Sequence, residues 1–150
     1  MNIEKEIQNS SILSEPTRTV INLMYTARQL EDGVAMFLKP YGLTTQQYNV
    51  LRILRGQKGA PANLSTLNER MIAKSSNTTR LVDKLIKKDL AHRDVCETNR
   101  RKVEIVITPN GLSLLSEIDE EMEQNNAKLL KNLAAEELQQ LNNLLDKIRE

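Results

Sequence analysis

Apolar side chains recur every third or fourth position over most of this 150-residue chain and alternate only in one short region. From Thr17 to Leu38, the residues Val20, Met24, Ala27, Leu30, Val34, Phe37 and Leu38 keep helical spacing. Pro16 lies just before this stretch, where a first-turn proline is tolerated, and Pro40 lies just past its end. Tyr48, Leu51, Ile53 and Leu54 predict a second helix, capped by Thr44 or Thr45 and stopping near Gly56. Gln57 to Asn63, with Gly59 and Pro61, reads as a loop. A short third helix runs from Leu64 to Ile72, with Thr66 and Glu69 at capping-box spacing. After a brief turn at Ala73–Lys74, Ser75 or Ser76 caps a fourth helix that reaches Lys88.

The period then switches to two. Leu90 to Glu97 and Lys102 to Thr108 read as strands, the second with Val103, Ile105 and Ile107 on one face. Thr98, Asn99, Arg100 and Arg101 form the turn between them. Beyond Pro109 and Gly111 the chain is helical again. Leu115, Ile118, Met122 and Leu129 make one seam, and Leu138, Leu141, Leu145 and Ile148 make another at three- and four-residue steps. Four helices, a hairpin and two helices predict a mainly α (α+β) fold. Its parts are those of a winged helix-turn-helix with N- and C-terminal helices left over.

Composition narrows the class. With 39% hydrophobic and 27% charged residues, 150 residues can bury a real core without staples. A single cysteine excludes an intrachain disulfide framework. No run of about 18 apolar residues is present, and Met1 to Glu15 lacks the apolar core of a signal peptide. A cytoplasmic protein without membrane contact is expected. Four aromatic residues and no tryptophan argue against a large aromatic-lined ligand site.

The net charge of +1 conceals a separation. Residues 1–69 carry seven basic and six acidic side chains, a balance of +1. Residues 70–102 carry ten basic and four acidic, a balance of +6, and residues 103–150 carry four and ten, a balance of −6. A basic block beside an acidic tail suits a polyanion-binding face, although two solvated faces would look the same. Local pattern decides between them.

On the fourth helix, Thr78, Leu81, Val82, Leu85 and Ile86 fall on one side. Ser76, Asn77, Arg80, Lys84 and Lys87 fall on the other, with Asp83 at the flank. Arg80 offers a planar fork for guanine, and Asn77 an amide for adenine. Ser75, Ser76 and Thr79 are short enough to bring the helix N-terminus close to a phosphate. Lys84, Lys87 and Lys88 would hold the backbone. Arg100, Arg101 and Lys102 crowd at the hairpin tip, where a cation favours a narrow minor groove. Two such surfaces at the spacing of one fold favour double-stranded DNA over an ordinary amphipathic helix.

These residues resemble the MarR family of bacterial transcriptional regulators from about Thr17 to Ile148. The strongest part is Leu67 to Gly111, including SSNTTRLVDKLIKKDLAHR and NRRKVEIVITPNG. The family's wing pattern, D-x-R and then L-T-x-x-G, maps onto Asn99, Arg100 and Arg101 and onto Ile107 to Gly111. Asn99 replaces the aspartate that commonly steadies the wing arginine, and Asp89 stands where glycine usually follows the recognition helix.

The resemblance implies a DNA-binding lobe at 44–108, with Ser75, Ser76, Asn77, Thr79, Arg80, Lys84, Asn99, Arg100 and Arg101 as its contacts. It implies dimerisation helices at 17–40 and 110–150, and hence a homodimer on a pseudo-palindromic operator with half-sites about 10 bp apart. It further implies a repressor relieved by a small lipophilic or phenolic effector, with Tyr25, Tyr41, Tyr48 and Met24 nearby. A constitutive or architectural DNA-binding protein, or a protein-interaction module using the leucine seam, would share several of these features.

Other chemistry finds no foothold. Cys96 reads as a structural thiol, and His92 has no histidine, cysteine or serine partner for metal or triad chemistry. Glu117, Asp119, Glu120, Glu121 and Glu123 spread around a helix instead of converging. No glycine pattern cradles a phosphate. No catalytic, cofactor or metal site is predicted.

Overall fold

The computed structural model of the protein describes residues 2–74, 77–99 and 102–150. Asn2 opens a short helix, α1 (Ile3–Glu6), by accepting from the Lys5 N–H at 3.2 Å. The sequence pattern did not signal α1. It rests on the long helix α2 (Glu15–Leu38) through buried Ile3, a Tyr25 hydroxyl that donates to Glu6, and an ion pair between Arg18 and Glu4. Helix α2 starts two residues before the predicted Thr17, because Pro16 sits inside its first turn. It ends in one tight turn of 3-10 helix (Lys39–Tyr41), closed by Gly42 at φ +69°, a left-handed conformation that glycine adopts without strain.

Thr44 then caps α3 (Thr45–Gly56). Its hydroxyl accepts from the Gln47 N–H, and the Gln47 side chain accepts from the Thr44 N–H, each at 3.1 Å. The next helix, α4 (Leu64–Arg70), is shorter than predicted and is capped differently. Asn63 accepts from the Thr66 N–H at 2.8 Å, while Glu69 accepts from the Ser65 hydroxyl. Ile72, placed inside this helix by its apolarity, lies beyond it and is exposed. Helix α5 (Thr78–Lys87) follows, with Asn77 at its N-cap position. The serines expected to cap it, Ser75 and Ser76, lie outside the described residues.

Strands β1 (Ala91–Val95) and β2 (Val103–Ile107) pair antiparallel, with Ala91 opposite Ile107 and Val95 opposite Val103. The free edge of β2 meets Ala62, which exchanges two backbone hydrogen bonds with Ile105 at 2.8 and 2.9 Å. The predicted loop 57–63 therefore contributes a bridge to the sheet. Helix α6 (Pro109–Leu129) is capped by the Thr108 hydroxyl, and α7 (Ala135–Ile148) follows a short turn.

One core joins these elements. Leu51 and Leu54 of α3, Leu67 of α4, Leu85 of α5, Ile105 of β2 and Leu115 and Ile118 of α6 are fully or almost fully buried together. The first C-terminal seam, Leu115, Ile118 and Met122, is thus intramolecular core. Leu129 packs on Gly33 of α2, where an added Cβ would stand 2.6 Å from the leucine side chain. The second seam differs: no residue of α7 is buried. The result is a mainly α, winged helix-turn-helix protein.

Candidate nucleic-acid interface

Helix α5 sorts its side chains by face. Thr78, Leu81, Val82 and Leu85 are buried, whereas Asn77, Thr79, Arg80, Lys84 and Lys87 are exposed. The buried stripe packs on α3, α4 and β1, and this leaves the polar stripe pointing outward. A side-chain hydrogen bond from Thr78 to Asn68 ties the start of α5 to α4 and satisfies the one polar group on the buried face. Neither Arg80 nor Lys84 forms an ion pair with any described residue. Both cations stay available to a polyanion.

The helix ends in a Schellman arrangement. The Leu90 N–H reaches the Leu85 carbonyl at 3.0 Å, and the Asp89 N–H reaches that of Ile86 at 2.9 Å. Asp89 takes φ +57° there, the left-handed conformation for which glycine is the usual residue. Its carboxylate accepts from the Asn110 amide and its carbonyl from the Thr108 hydroxyl, so polar contacts anchor the strained residue. The helix end keeps its usual geometry despite the substitution noted in the sequence.

A groove of about 360 Å³ opens along the polar stripe, lined by Gln46, Asn77, Arg80, Leu81 and Lys84. Gln46 is exposed in the first turn of α3 and was missed from the sequence. Its only signal was a polar position just behind the Thr44 cap. The wing loop closes through Asn99 and Lys102: the Asn99 N–H bonds the Cys96 carbonyl at 3.2 Å and the Lys102 N–H bonds the Asn99 carbonyl at 2.8 Å. Asn99 and Lys102 are exposed at this end of the hairpin. Arg100 and Arg101, expected between them, lie outside the described residues.

Some neighbouring cations are committed elsewhere. Lys88 was expected to hold phosphate, but its ammonium donates to the Gly42 carbonyl. Arg93 of β1 pairs with Asp83 of α5. His92 is exposed, and its Nε2 lies 2.8 Å from the Asp94 carboxylate. Cys96 is half-buried, with Sγ 3.1 Å from the Thr98 hydroxyl, and that hydrogen bond lowers its thiol pKa. It is not a core residue. Among the described residues no group of three or more histidine, cysteine, aspartate or glutamate side chains is placed to hold a metal.

The residues named as effector candidates separate as well. Tyr48 is buried in the core. Tyr41 donates to Glu121 at 2.6 Å, a bond that raises its own pKa, and stacks at a tilt on Phe37 at 5.6 Å. Beside them, α2 and α6 flank a cleft of about 500 Å³ lined by Phe37, Glu120, Glu121, Gln124, Asn125 and Lys128. No described helix is long and apolar enough to cross a membrane.

Comparison with known proteins agrees with this geometry. The family model described as MarR matches residues 43–103. The HTH-type transcriptional regulator PecS of Dickeya dadantii is 28% identical over 137 residues, which cover 89% of this chain and 81% of PecS. A crystal structure of a MarR transcription factor from Planctomyces limnophilus superposes with a TM-score of 0.72 at 29% identity, over 91% of this chain and 98% of that one. The fold is also that of Bordetella bronchiseptica BpsR, at a TM-score of 0.80 and 21% identity over 89% and 99% of the two chains. The DNA binding of BpsR is regulated by 6-hydroxynicotinic acid. PecS and the MhqR of Bacillus subtilis, the latter 26% identical over 81% of this chain, are both regulators of transcription.

Proposed function

We propose that this chain, a DNA-binding transcription regulator of the MarR family, acts as a homodimer that represses from a pseudo-palindromic operator and is released by a small effector. One observation carries the DNA-facing part. A single helix buries Thr78, Leu81, Val82 and Leu85 and turns Asn77, Thr79, Arg80 and Lys84 outward, and Asn99 and Lys102 at the wing end are exposed too. Arg80 and Asn77 would read base edges, whereas Thr79, Lys84 and Asn99 would set the register on phosphates. Ser75, Ser76, Arg100 and Arg101 complete the proposed contact set on the strength of the sequence alone.

The dimer reading rests on the exposed apolar residues of α2 and α7. Met24 is 70% exposed, Leu144 54% and Ile148 63%, which a chain of this size would cover. For the effector, the cleft between α2 and α6 has a suitable volume. Its Glu120 and Glu121 favour a hydrogen-bond donor such as a phenolic hydroxyl over a carboxylate. Binding there would release DNA only if it favoured one spacing of the two recognition helices. A tenfold population shift needs about 1.4 kcal/mol of preference.

Binding of a promoter fragment and of a scrambled duplex over a salt series tests this reading. Preference for the promoter fragment is expected, with affinity falling steeply as salt rises. Equal binding to both would point to an architectural role. No binding at low salt would reject a DNA partner.

A further inference from the structure

The recognition helix carries one carboxylate between Thr78 and Lys87, and that is Asp83. It lies on the flank of the polar stripe, one residue from Lys84 and three from Arg80, and it is about half exposed. A bare carboxylate there would face the phosphates that the neighbouring cations attract. It does not stand bare: the guanidinium of Arg93 on β1 reaches across and pairs with it. The Arg93 side chain is about one-third exposed, and its Nε is buried without an acceptor among the described residues. The guanidinium is therefore turned in against α5.

Its backbone is held equally firmly. Arg93 lies opposite Ile105, the buried centre of β2, which also bonds Ala62. The pair therefore links the recognition helix to the middle of the wing sheet. Arg93 is one of the ten basic residues of the 70–102 segment, but the fold commits it to Asp83.

We infer that Arg93 is a positioning residue for DNA binding: it masks the Asp83 carboxylate from the phosphates that the recognition helix would meet. This rests on the reading that α5 meets DNA. It assigns Arg93 a role through Asp83 and not a phosphate contact of its own, and the two roles predict different mutant behaviour.

The test is a double-mutant cycle on the full chain, with mixed-sequence duplex DNA over a salt series as probe. Each variant is measured below its own thermal midpoint. Arg93→Ala should weaken binding about tenfold, because Asp83 then opposes the phosphates. Asp83→Asn alone should bind at least as tightly as the unaltered chain. Adding Asp83→Asn to Arg93→Ala should recover most of the loss, and Arg93→Lys should lose little.

If Arg93 instead touches phosphate, Arg93→Ala flattens the salt slope by about one and Asp83→Asn rescues nothing. That result, or an Arg93→Ala chain that binds like the unaltered one, overturns the inference. Arg80→Ala in the same assay separates the two layers. If Arg80→Ala weakens binding while the cycle shows no coupling, only the role of Arg93 falls. If the unaltered chain binds no duplex at all, both readings fall together.

Discussion

Asp89 and Gly111 show how single residues hold the helix and the wing in their mutual positions. Asp89 turns the chain left-handed at the end of α5 and is anchored by Asn110 and Thr108 from the start of α6. Gly111 lies one residue further along that helix, and a Cβ there would stand 2.4 Å from the Leu90 carbonyl oxygen and 2.7 Å from Ile107. The first neighbour is backbone and cannot swing aside. Gly111→Ala should therefore cost about 1–3 kcal/mol, measured by denaturant unfolding, and should disturb the strand that carries the wing. Arg80 and Lys84 sit on the same face but are expected to fail differently. Arg80→Ala should cost about 1–3 kcal/mol of binding and relax one base position, whereas Lys84→Ala should weaken all sequences alike and flatten the salt slope by about one. Unchanged affinity and preference in Arg80→Ala would mean that α5 is not the reading helix.

Among the elements, α5 was the most legible from the sequence. Its two faces follow from residue identity at helical spacing alone, so Leu81, Val82 and Leu85 were placed inside and Arg80 and Lys84 outside without knowledge of any partner. Its packing partners could not be read in that way. Helix α3 is joined to α6 by Arg55 and Asp119, which meet through two hydrogen bonds of 2.7 and 3.0 Å although 64 positions separate them. That pairing holds the Asp119 carboxyl below the usual carboxylate range, chiefly through the Arg55 hydrogen bonds. A depressed carboxylate stabilises the fold above its unfolded pKa of about 3.9 and loses that contribution as pH falls through the lower folded value. Both side chains are part-exposed, so water screens the pair and its contribution is about 0.5–1 kcal/mol. Unfolding titrations should show Asp119→Asn less stable than the unaltered chain by that amount at pH 7, with the gap closing below about pH 4. A gap that persists in acid would assign the effect to packing and not to charge.

At the scale of the whole molecule, two apolar seams of similar appearance have opposite fates. Leu115, Ile118 and Met122 complete the core, while in the second seam Leu141 and Ile148 remain exposed and Leu138 and Leu145 are half-buried; Leu144 on α7 and Val20 and Met24 on α2 are exposed as well. If these exposed faces join two copies, Leu144→Glu with Ile148→Glu should shift the mass seen by light scattering from dimer to monomer and weaken DNA binding with it. A double variant that stays dimeric would place the interface elsewhere. By itself the sequence determined the order of elements from α2 onward, the inner and outer faces of α5, the basic segment and the family resemblance. All of these depend on residues close together in the chain, where period and composition act directly. Only the tertiary structure decided that Lys88 serves Gly42, that Arg93 covers Asp83, that Ala62 extends the sheet and that one seam is core. Each of those depends on which distant residues the packing brings within a few ångströms, and local pattern holds no record of that.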